Sequence, residues 1–143
     1  MKKCSDVMTE NPACCLPTDQ APKAAALMKS ENVGSIPVIE SEQTRKLIGI
    51  VTDRDLAIQI VADGRDKSTK IADVMTTNVV TCRADEDVQI ALDAMADYQL
   101  RRIPVVDVDN RIVGIISQAD VATRVDQPEE TAEVVKEISQ PSA

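Results

Sequence analysis

The chain of 143 residues carries four cysteines, at positions 4, 14, 15 and 82, and no histidine. That combination restricts its chemistry before any element is placed. A zinc or thioredoxin-like site needs thiols at C-x-x-C spacing or thiols completed by imidazole, and the sequence has neither. Without histidine there is no Ser-His-Asp or Cys-His pair, which leaves lysines, carboxylates and thiols for acid–base work. No catalytic centre and no metal site are expected. The cysteines read as small buried apolar residues in a reducing compartment, with a redox switch at the adjacent Cys14 and Cys15 as the alternative. Two further pairs stand out, Thr52 with Asp55 and Ser117 with Asp120, each a hydroxyl followed three residues later by a carboxylate. Thr52 and Ser117 fall where a β pattern gives way to a helical one, so each suits an N-cap. Such a junction also attracts phosphate, because its first backbone N–H groups are unpaired.

The elements that position these residues are written twice. Asp6-Val7-Met8-Thr9 returns 67 residues later as Asp73-Val74-Met75-Thr76, and Ile36-Pro37-Val38 returns at the same offset as Ile103-Pro104-Val105. The offset then falls to 65, so that the run from Gly49 to Asp55 aligns with the run from Gly114 to Asp120. Each copy predicts a short helical turn (residues 5–9 and 71–76), a strand (13–16 and 79–82), a helix, a hairpin and a second helix. The first helix should start near Thr18 or Asp19 in one copy and be capped by Asp85 in the other. The hairpins span 35–40 with 46–52 and 102–108 with 111–117, and the closing helices span 53–62 and 118–125. A copy of about 60 residues is marginal alone, so the two should pack on each other. The expected boundaries are 4–66 for the first repeat, 67–126 for the second and 127–143 for a tail. Within that tail Ala132, Val135 and Ile138 keep helical spacing, and a docking helix and a solvated end are both open.

A net charge of -8 and a pI near 4.5 give a mostly anionic surface, which repels nucleic acid and anionic membranes alike. No apolar run approaches the roughly 18 residues of a spanning helix, and Met1-Lys2-Lys3 is followed by Cys4-Ser5-Asp6 rather than by an apolar signal core. A cytoplasmic protein with no nucleic-acid or membrane partner is expected.

The paired pattern of D-V-M-T, a helix, h-P-V-h and G-h-h-[ST]-x-x-D resembles tandem cystathionine-β-synthase (CBS) domains, the Bateman module, from Cys4 to about Val125. Within that family the chain is similar to small stand-alone bacterial CBS-pair proteins of the hypoxic response type, because Thr52-Asp53-Arg54-Asp55 and Arg101-Arg102-Ile103-Pro104-Val105 occur together. The resemblance implies an α+β (α/β-like) fold of two β-α-β-β-α repeats packed with pseudo-twofold symmetry, with clefts between the halves for an adenosine-containing ligand. It implies that Asp55 and Asp120 accept hydrogen bonds from ribose hydroxyls, and that Thr52 and Ser117 help to hold ribose or phosphate. By similarity to the γ subunit of AMP-activated kinase, one cleft would be lined by Thr52, Asp55, Arg101 and Arg102, with Val80 against the base, Arg54 nearby and Pro104 in the aliphatic surround. The other would join Ser117 and Asp120 to Gly34 and Ser35, with Ile36 and Pro37 beside them. AMP is the favoured occupant, ADP, ATP and S-adenosylmethionine are the alternatives, and none is an obligatory cofactor. The arginines also suit a solvated strand end or a dimer salt bridge, and the two aspartates also suit local capping. The function implied is a non-enzymatic, ligand-sensing regulator, expected as a homodimer that acts on an unidentified protein partner. A ligand-free interaction or stress-response protein and a redox-responsive module are the other two readings.

Overall fold

Two leading segments, one per repeat, decide how the chain is divided. The computed structural model describes residues 2–124 and Ile138; the expected tail, apart from Ile138, and the end of the second repeat lie outside the described residues. The described residues fall into an inserted unit, Ala13–Val79, and a split unit made of the chain up to Pro12 and from Val80 onward. The chain opens in the split unit with helix α1 (Cys4–Val7) and strand β1 (Thr9–Glu10), and β1 pairs with a strand from the second repeat. The units therefore do not coincide with the sequence repeats.

In the inserted unit, helix α2 (Ala21–Glu31) begins two to three residues later than the Thr18 or Asp19 expectation, with Gln20 at the cap and Pro22 in the first turn. Asp19 is used instead to close the preceding turn, where its carboxylate accepts from Leu16 N at 2.8 Å. The helix ends on Asn32 in the left-handed region, whose N–H returns to Met28 O. Strands β2 (Ser35–Ile39) and β3 (Leu47–Thr52) form the expected antiparallel hairpin, with Ser35 opposite Thr52. The expected strand at residues 13–16 contracts to one parallel bridge, Cys15 to Val38, because it is bracketed by Pro12 and Pro17. Helix α3 (Asp53–Asp55) follows β3 directly and then widens into a π-helical stretch, Leu56–Ala62. Ile58, Ile60 and Val61 crowd that stretch with β-branched side chains, which fit a regular α-turn less well. A 3-10 turn, Ile71–Asp73, leads to Thr76, which bridges Ile50 of β3. The core is Cys15, Ala24, Met28, Ile36, Val38, Val51, Ile71 and Val74.

The split unit repeats this plan with a fuller sheet, in which β1 is followed in order by β6 (Ile112–Ser117), β5 (Arg102–Val106) and β4 (Cys82–Arg83). Strand β4 runs parallel to β5, and β5 pairs antiparallel with β6. Helix α4 (Val88–Asp97) is capped by Asp87, whose Oδ1 accepts from Gln89 N at 2.9 Å. The expected cap, Asp85, pairs instead with Arg83 at 2.9 Å. Val88, Ala91, Leu92 and Met95 are buried, so the apolar spacing of α4 does mark its core face. Helix α5 (Gln118–Arg124) closes the described chain, and Ile138, 3% exposed, joins the same core. Among the described residues no helix is long and apolar enough to cross a membrane.

Candidate functional site

Strand β3 delivers Thr52 to the start of α3, and a reciprocal capping pair fixes the turn. Asp55 N donates to Thr52 Oγ1 at 3.0 Å, and Thr52 N donates to Asp55 Oδ2 at 2.9 Å. The second carboxylate oxygen, Asp55 Oδ1, receives no side-chain donor among the described residues, and the Thr52 hydroxyl accepts but is given no acceptor there. Both residues are half-buried and so open to solvent. Ser35 lies directly across the hairpin, and Asp53 N donates to Gly34 O at 2.9 Å, which brings residues 34–35 to the same corner. Arg54 is exposed, with its backbone N–H held by Asp53 Oδ1 at 2.8 Å. Ile36 and Pro37 are buried in β2, next to Ser35, with Ile36 part of the core of this unit.

The split unit holds the matching corner in a different state. Ser117 N donates to Asp120 Oδ2 at 2.9 Å and Asp120 N donates to Ser117 Oγ at 3.2 Å, the same reciprocal cap. Here, however, Asp120 as a whole is only 7% exposed, and its carboxylate is met from a second side by Thr9 of β1. Arg102 stands opposite Ser117 across β5 and β6, and Gln118 N donates to Arg101 O at 2.9 Å, so the basic pair occupies the place of Gly34 and Ser35. Cross-strand partners project to one face, which puts the Arg102 and Ser117 side chains on the same side of the sheet. Arg101 is exposed and Arg102 half-buried. Pro104 is buried opposite Ile115, and Val80 packs against the core of this unit.

Each unit thus presents a hydroxyl and a carboxylate at a strand end, beside a proline-containing partner strand. The CBS domain model matches residues 4–62 and 71–126. The chain belongs to the CBS-domain family. Among curated relatives, the CBS domain-containing protein YhcV of Bacillus subtilis is 37% identical over 139 residues, covering 97% of this chain and 96% of that protein. Hypoxic response protein 1 of Mycobacterium tuberculosis is 30% identical over 145 residues, covering 100% and 98%. Among solved structures, the CBS domain pair of protein MJ0100, in complex with 5-methylthioadenosine and S-adenosyl-L-methionine, superposes with a TM-score of 0.72 at 29% identity, covering 85% of this chain and 94% of that one.

The four thiols of this CBS pair sit in two settings. Cys15 is fully buried, and burial pushes its thiol up to about 11. Cys14 is half-buried; burial raises its thiol by more than the Arg45 guanidinium, 3.7 Å from the sulfur, lowers it. Both therefore carry little thiolate at neutral pH, which counts against a redox role for this pair. Cys4 and Cys82 lie in the core of the split unit, where Cys4 Sγ donates to Asp87 O and Cys82 Sγ to Pro104 O, each at 3.8 Å; the neighbouring Cys4 thiol and burial push Cys82 up. Among the described residues no group of three or more Cys, Asp or Glu side chains is placed to hold a metal ion.

Reading the motifs one by one misses Thr9 and Arg124. Arg124 Nη1 donates to Val7 O at 3.1 Å and to Met8 O at 2.9 Å, and its Nε lies 3.9 Å from Asp120 Oδ1. The signal that could have found Arg124 is the comparison of the copies, since its counterpart 65 residues earlier is Gln59.

Proposed function

We propose that this CBS-pair protein is a regulator that binds an adenosine-containing small molecule through Thr52 and Asp55. The observation that carries the reading is the uncommitted half of that motif. Asp55 Oδ1 has no donor among the described residues and Thr52 keeps a hydroxyl proton to give. A carboxylate, an acceptor only, suits the two hydroxyls of a ribose, and the Thr52 proton suits a ribose or phosphate oxygen. The MJ0100 pair, crystallised with 5-methylthioadenosine and S-adenosyl-L-methionine, supports an adenosyl ligand, whose ribose diol is shared with AMP. For a phosphate the reading keeps Arg101 and Arg102, because a guanidinium matches phosphate oxygens bidentately. With Tyr98 the sole aromatic residue, the base is expected on aliphatic surface such as Val80. No reaction is assigned to the site. Regulation follows if the ligand prefers one arrangement of the protein over another.

The reading also includes a cytoplasmic homodimer. In the inserted unit a groove of about 290 Å³ is lined by Ala21, Pro22, Ala25, Leu56, Ile60 and Val61, with Lys67 at its rim. Val61 is 78% and Ile58 41% exposed beside it, an apolar face that a second copy of the chain would cover.

Calorimetric titration of the reduced, nucleotide-stripped protein with AMP, 5-methylthioadenosine and S-adenosylmethionine tests the ligand. Saturable binding is expected, weakened about 10- to 100-fold in Asp55→Ala, the loss of hydrogen bonds to a charged acceptor. Arg102→Ala should weaken AMP more than 5-methylthioadenosine, which has no phosphate. Unchanged affinity in Asp55→Ala rejects the site, and no heat with any of the three favours the ligand-free interaction protein.

A further inference from the structure

Resting on the ligand reading above, we propose that Thr9 is an internal competitor for the Asp120 carboxylate, so that the second repeat is held shut and each chain takes one nucleoside, at Asp55. The Thr9 hydroxyl lies 3.1 and 3.3 Å from the two oxygens of Asp120, and the Ser117 hydroxyl donates to Oδ2 at 3.0 Å. Two hydroxyls on one carboxylate are the donors that a ribose diol would bring. With Ser117 N also donating at 2.9 Å and Arg124 Nε 3.9 Å from Oδ1 as an ion-pair partner, protein groups already satisfy most of the carboxylate, whose side chain is 10% exposed. A nucleoside arriving there would exchange existing hydrogen bonds for equivalent ones and so gain little.

The inserted unit shows what the closure depends on. Its counterpart of Thr9 is Thr76, which holds the same place on the sheet through Thr76 N to Ile50 O at 2.8 Å and Ile50 N to Thr76 O at 2.9 Å. No Thr76 hydroxyl bond to Asp55 accompanies that pairing among the described residues. The difference is in the residue four past the carboxylate. Gln59 donates to one backbone oxygen, Val74 O, at 2.9 Å, and is neutral. Arg124 donates to two, Val7 O and Met8 O, immediately before Thr9, and places its charge beside Asp120. Arg124 thereby clamps the segment that carries Thr9 against the carboxylate. Gly114 permits the approach, since a Cβ there would stand 2.9 Å from Thr9 O and overlap the Met8 side chain.

The test is calorimetric stoichiometry with AMP and with 5-methylthioadenosine. Wild type and Thr9→Ser, which keeps the hydroxyl, should bind one ligand per chain; Thr9→Val should bind two, and the gained site should be lost again in Thr9→Val/Asp120→Ala. Thr9 is exposed, so its substitution should leave folding intact. Should Thr9→Val not unfold cooperatively, Arg124→Gln, which copies the chemistry of Gln59, serves instead and should likewise bind two. One site in wild type and one in a folded Thr9→Val or Arg124→Gln overturns the closure and leaves the ligand reading standing, as do two sites in wild type. No site in wild type with one in Thr9→Val supports the closure and rejects Asp55 as the open site. No site in either overturns both.

Discussion

Two copies of one hydroxyl–carboxylate motif reach different states because of residues outside the motif. Thr52 with Asp55, and Ser117 with Asp120, were legible from type and spacing as capping pairs at strand-to-helix junctions. Their inequality was not legible, because Thr9 and Asp120 are 111 residues apart and only the folded sheet brings them together. Gln59 and Arg124 differ in plain view, yet the difference carries meaning only once each is seen to hold a backbone carbonyl of a leading segment. The cysteines read correctly as buried groups in three cases of four, with Cys14 half-buried. In the native protein at pH 8 a thiol reagent should therefore modify Cys14 and spare Cys4, Cys15 and Cys82, whereas all four should react in denaturant. Mass spectrometry of the labelled peptides checks the assignment; rapid native labelling of Cys4 or Cys82 would show that the split-unit core opens readily.

Hairpins and the buried face of α4 follow from period and composition, since strand alternation and helical spacing are local signals. Helix starts were less legible. Asp85 and Asp87 are equivalent as capping chemistry, and in the structure Asp87 caps the helix, where Val88 N is held by Lys2 O at 2.9 Å, a partner 86 residues away that no local pattern announces. The first strands were also over-read, because Cys15 makes only a single bridge between flanking prolines. The clearest dependence at this scale is that of β1 on β6. At Gly114, alanine would push on Thr9 O and the Met8 side chain, and at Gly49 it would come 2.8 Å from Met75 Sδ and 3.0 Å from Thr76 O. Each glycine lets a leading segment lie flat on the hairpin. Gly114→Ala should lower stability by about 1–3 kcal/mol, the usual cost of overpacking, read as a lower midpoint in urea. Gly64, with no atom within 4 Å of an added Cβ but a φ of +70°, provides a contrast in which any loss would be backbone strain alone.

At the scale of the whole molecule, the family and its repeat order were legible from the duplicated motifs, whereas the composition of the units was not. Offsets locate copies in sequence, but they do not tell which body a leading segment packs on. The apolar groove beside Val61 and Ile58 gives the homodimer a definite test. Sedimentation velocity of wild type should report a dimer and Val61→Glu a monomer at the same concentration, with circular dichroism unchanged; a monomeric wild type would remove this face from the interface.

The split unit also has a history in time. Cys4 and Val7, both fully buried in the finished protein, leave the ribosome more than a hundred residues before β6 and α5, which complete their surroundings and end at Ser117 and Arg124. At about 5–20 residues per second the interval is on the order of ten seconds. During it the inserted unit, a continuous stretch from Ala13 to Val79, can fold to completion while the nascent leading segment waits with its apolar side chains uncovered. Vectorial synthesis thus leaves the leading segment to wait for partners made after the whole inserted unit, and a neighbouring nascent chain can capture it by strand exchange before its own sheet exists.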